Sequence, residues 1–66
     1  MNIICTRKNY QLRCRVTKFA EDLYSVDFDQ LWPEAQHPHW RHVAQFNLTS
    51  AELANLGEVL LHEAQQ

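Results

Sequence analysis

A chain of 66 residues holds one domain (1–66), and a core of that size supplies only about 3–5 kcal/mol of net stability, so a monomer and a homodimer are both open. With 45% hydrophobic residues, one glycine and two prolines, the composition excludes a disordered or low-complexity chain, and no apolar run approaches the roughly 18 residues of a membrane span. Net charge is −2, but residues 1–20 hold five cations and no acid, whereas residues 21–66 hold eight acids against Arg41 alone, an asymmetry that bears on partners and not on fold.

In chain order, Ile3, Ile4 and Cys5 form a short apolar run that predicts an edge strand, joined to the next through a turn at Arg7, Lys8 and Asn9. From Tyr10 the period is two: Tyr10, Leu12, Cys14 and Val16 alternate with Gln11, Arg13, Arg15 and Thr17, the pattern of a strand with one buried and one wet face. Tyr24, Val26 and Phe28 alternate in the same way with Leu23, Ser25, Asp27 and Asp29. The short connection at Ala20, Glu21 and Asp22 makes these two strands a hairpin and sets its register. Val16 then faces Val26 and Cys14 faces Phe28 on the inside, while Arg15 faces Asp27 and Arg13 faces Asp29 on the outside. Residues 31–38, with Trp32 and two prolines, read as a loop. A further strand is expected with Trp40, His42, Ala44 and Phe46 on one side and Arg41, Val43, Gln45 and Asn47 on the other.

The last element is a helix from about Ser50 to Gln65. Thr49 is its N-cap, Glu52 three residues on completes a capping box, and Leu48 and Leu53 form a hydrophobic staple. At 100° per residue, Leu53, Ala54, Leu56, Gly57, Leu60, Leu61 and Ala64 make a buried arc, and Glu52, Asn55, Glu58, His62 and Glu63 an outward one, with Val59 isolated among the polar positions. Gly57 is read as permitting close approach of helix to sheet. The fold class is α+β: an antiparallel meander of three to four strands with one C-terminal helix on one face, in the order β-β-β-β-α.

No catalytic or cofactor motif stands out. Cys14 lies between Leu12 and Val16 on the inner face, where a thiol packs as a small hydrophobe and does not act as a nucleophile. His37, His39 and His42 do not share one parity, and no Asp, Glu or Cys follows at ligand spacing, so neither metal nor cofactor is expected. The two cysteines are too few for a disulfide scaffold, and without a basic and apolar leader a cytoplasmic address with reduced thiols is expected. Arg13, Arg15, Lys18 and Trp40 could form a nucleic-acid face, but pairing with Asp27 and Asp29 removes much of its positive charge, so direct nucleic-acid binding is not expected. The candidate partner-binding residues are acidic: Glu52, Glu58 and Glu63 on the helix, extended by Glu21, Asp22 and Glu34 in loops, with Trp32 as an anchor.

Phe46 to Leu56, a strand running through Asn47, Leu48 and Thr49 into a helix, resembles the strand-to-helix junction of the PC4-type single-strand-DNA-binding coactivators, which dimerise through that helix. That resemblance implies an ssDNA-binding dimer, although only His37, His39 and Arg41 stand where the family is basic. In size, acidity and absence of catalytic motifs the chain is similar to phage-encoded anti-CRISPR proteins. This class-level likeness implies an inhibitor whose acidic surface, acting as a DNA mimic, blocks a protein complex with a basic nucleic-acid-binding surface. A non-enzymatic inhibitor is the leading expectation, the DNA-binding dimer the alternative, and a structural subunit or antitoxin-like partner a third.

Overall fold

Four strands in register, each hydrogen-bonded to the next along the chain, define the architecture in a computed structural model that describes residues 2–66. They are β1 (Asn2–Arg7), β2 (Tyr10–Ala20), β3 (Leu23–Leu31) and β4 (Arg41–Leu48), all antiparallel, followed by α1 (Ser50–Ala64). The α+β meander expected from the pattern is the fold observed.

The central hairpin has the expected register, with Val16 opposite Val26, Cys14 opposite Phe28, Arg15 opposite Asp27 and Arg13 opposite Asp29. Glu21 and Asp22 form its tip. Asp22 has φ 54, the left-handed conformation that Asp adopts more readily than most residues.

Three register shifts modify the ladder. One residue is extra at Ile4 in β1, at Phe19 in β2 and at Val43 in β4. The last reverses the expected parity: His42 lies opposite Asp29 on the polar face and not beside Ala44 on the apolar one. Trp40 follows, its ring lying 4.1 Å beneath the Arg13 guanidinium. The sequence period could not reveal this, because a bulge puts two residues of one strand against one of the next and breaks the alternation.

The helix begins as its sequence dictates. Glu52 N–H donates to Thr49 Oγ1 at 3.3 Å, and Thr49 N–H donates to Glu52 Oε1 at 2.9 Å, so the capping box is complete. The packing beyond it differs from expectation. No residue of α1 is buried; Leu53 and Leu56 are half-buried, while Leu60 and Leu61 are exposed. A Cβ added at Gly57 would meet nothing within 4 Å, so this glycine does not serve a close approach to the sheet.

Val26 is the one buried apolar residue among those described, and Asp29 the one buried charged residue. The molecule is a slab of 40 × 33 × 15 Å.

Candidate interaction surfaces

The polar face of the sheet is a connected network centred on β3. Asp29, 2% exposed, accepts from Arg13 Nε at 2.8 Å, and Arg15 Nη2 donates to its other oxygen at 3.4 Å. Arg15 Nε is buried 3.1 Å from Asp29 Oδ2 but lacks hydrogen-bond geometry. Both arginines therefore converge on Asp29, where the register alone suggested one aspartate each. Asp27 instead accepts from Ser25 Oγ at 2.9 Å and from His42 Nε2 at 3.0 Å. Gln45 extends the network by donating to Ser25 Oγ at 2.8 Å and to Asn47 Oδ1 at 2.6 Å.

These contacts fix the electrostatics. The hydrogen bond from Arg13, followed by the charge of Arg15, holds the Asp29 carboxyl below the usual aspartate range despite the opposing effect of burial. Stacked on Arg13, Trp40 presents one ring face to a cation and not to a nucleobase. On the apolar side, desolvation and then the charge of Asp27 push the Cys14 thiol up, the direction that opposes a reactive thiolate. Cys5 and Cys14 are both free thiols, and no group of three or more potential metal ligands occurs among the described residues.

The acidic candidates fall into separate places. The carboxylate of Asp22 accepts from both the backbone N–H and the hydroxyl of Ser50, which ties the β2–β3 tip to the start of α1 and brings Glu21, Asp22 and Glu52 to one end of the molecule. Those bonds hold the Asp22 carboxyl below the usual aspartate range, the hydroxyl contact most. Glu52 also completes the cap, so its carboxylate is structural before it is anything else.

Glu52, Glu58 and Glu63 do not form the single outward strip expected of them. Glu52 lines the groove between α1 and the sheet with Asn55, Leu56, Val59 and Leu60. Glu63, four residues beyond Val59, continues that side, whereas Glu58 projects about 100° away. Glu34 and Trp32 lie in the loop at the other end of β3, roughly 26 Å from the hairpin tip at 3.3 Å per residue. Trp32, 42% exposed, meets Tyr10 edge-to-face at 5.7 Å; Tyr10 in turn donates to Gln30 at 3.0 Å and lies under Arg7 at 5.0 Å. Trp32 thus closes a corner of the sheet and leaves part of its ring free.

Sequence reasoning missed the groove itself. It is an open apolar cleft of about 670 Å3 in which Ile4, Leu12, Phe28, Phe46 and Leu48 face Leu56, Val59 and Leu60. Val59 carried the available signal, an aliphatic residue in an otherwise polar helix stripe, but its reading as a solitary exposed group hid its alignment with Leu56 and Leu60.

No helix is long and apolar enough to cross a membrane among the described residues. No family model matches the chain, and neither a curated protein nor a solved structure matches it.

Proposed function

We propose that the protein is a non-enzymatic, cytoplasmic regulator that binds a protein complex through carboxylates and so obstructs a positively charged nucleic-acid site, in the manner of an anti-CRISPR protein. One observation carries the reading. Asp29 holds Arg13 and Arg15 and Asp27 holds His42 in internal contacts, and among the described residues no ion pair engages Glu21, Glu34, Glu58 or Glu63. With two of its six Lys and Arg residues neutralised in this way and a net charge of −2, the chain meets basic partners through those carboxylates.

The same contacts weigh against the DNA-binding alternative. Arg13 is engaged with Trp40 and, like Arg15, with Asp29, so that of the residues this alternative uses only Lys18 is left, which gives little affinity for phosphate.

A target-DNA binding assay with purified guide-loaded CRISPR effector complexes tests the reading. The wild-type chain is expected to lower DNA binding, and the Glu21→Lys, Glu58→Lys, Glu63→Lys triple variant to lose that effect while retaining its fold by circular dichroism. Inhibition untouched by the triple charge reversal, no inhibition of any complex, or a direct low-salt gel shift of single-stranded DNA by the protein itself would overturn it.

A further inference from the structure

The lone chain is too open to be a well-buried monomer. Folded monomers of its 7.8 kDa mass expose about 4,400 Å2, whereas this chain exposes 5132 Å2. Its radius of gyration is 13.9 Å, against about 11 Å for a compact domain of the same length. Val26 is the only buried apolar residue among those described, and α1 buries none of its own. The surplus of about 700 Å2 approaches the roughly 800 Å2 that each partner contributes to a standard stable interface.

That surplus has a location. Phe46, Val59 and Leu60 are 51%, 59% and 59% exposed, and all three line the groove between α1 and the sheet. Glu52, the one charged group on the groove wall, sits at its N-terminal end with its carboxylate bound by the Thr49 N–H. Covering the rest of the groove therefore strands no unpaired charge.

We propose that the protein folds as a symmetric homodimer in which the groove of each chain receives the Leu56, Val59 and Leu60 stripe of the other. The occupant must be present whenever the chain is folded, because the groove and the small core around Val26 gain from cover at all times, and a second copy is always at hand at equal concentration. A two-fold axis makes the arrangement self-consistent: the stripe that walls one groove is what fills the other. An interface of this kind is apolar, as obligate ones are; of the carboxylates assigned to target binding, Glu58 projects away from the groove, while Glu63 borders it.

Sedimentation velocity and urea unfolding of the full chain across a hundredfold concentration range test the proposal. The expected results are twice the 7.8 kDa chain mass and an unfolding midpoint that rises with protein concentration. Val59→Asp and Leu60→Asp alter side chains that a monomer leaves in water, so a monomer would tolerate both. The dimer is expected to dissociate in each, with a lowered midpoint, whereas Val43→Asp, outside the groove and 50% exposed, keeps the dimer mass. A wild-type chain that sediments at its own mass with a concentration-independent midpoint would overturn the proposal, as would retention of the dimer by both Asp variants at positions 59 and 60. No target enters these measurements, so their failure is separable from failure of the inhibitory reading.

Discussion

Asp29 remains ionised while 2% exposed because Arg13 and Arg15 close on it from β2. Its pKa is depressed in the fold, so its contribution is present above the ordinary aspartate range and is lost as pH falls through the lower, folded value. Asp29→Asn is expected to lower the urea midpoint at pH 7 and to flatten the acid limb, so that wild type and variant converge as pH falls below the ordinary aspartate range; a midpoint difference that stays constant into that range would contradict it. Gly57 offers an opposite case. With open space at its missing Cβ and helical backbone on both sides, Gly57→Ala is expected to add about 0.5–1 kcal/mol in denaturant unfolding. The sequence disclosed which residues of the central hairpin face each other, since inner apolar and outer charged pairs both select one register. It did not disclose that Arg15 reaches diagonally to Asp29, because a long guanidinium side chain spans more than one position of the ladder.

Among the elements, α1 is held more by its first turn than by its packing. The reciprocal bonds between Thr49 and Glu52 satisfy two backbone donors, and Asp22 satisfies a third at Ser50. Thr49→Ala is therefore expected to cost about 1 kcal/mol, read as a lower thermal midpoint with a loss of helical ellipticity. Asp22→Asn, which tolerates the left-handed backbone and still offers an acceptor to Ser50, is expected to be milder than Asp22→Ala; equal losses would show that neither the retained acceptor nor the backbone preference offsets loss of the carboxylate. The helix start was legible because the capping box is a local pattern. The faces of α1 were not, since a stripe period identifies which residues lie together and says nothing about whether the sheet reaches them. β4 failed at Val43 for a related reason, its alternation being interrupted by a residue that the neighbouring strand does not match.

At the scale of the whole molecule, β3 is flanked on both sides and contains both buried residues, while β1 and β4 are edges. Amide hydrogen exchange is accordingly expected to be slowest across Val26–Asp29 and their β2 partners and faster in β1, and a uniformly protected sheet would count against this ranking. The acidic candidates were each visible in the sequence, but their distribution was not, because it depends on the Asp22 to Ser50 link and on the length of β3. The three bulges have a further implication for how the chain length can vary. Ile4, Phe19 and Val43 are each supernumerary to the strand beside them and each at least half exposed. Excising any one of them would straighten its strand and leave every remaining side chain on the face it already occupies, whereas excising a paired neighbour such as Gln45 would turn part of β4 inside out. Single-codon losses at these three positions are thus the ones that the sheet is built to absorb.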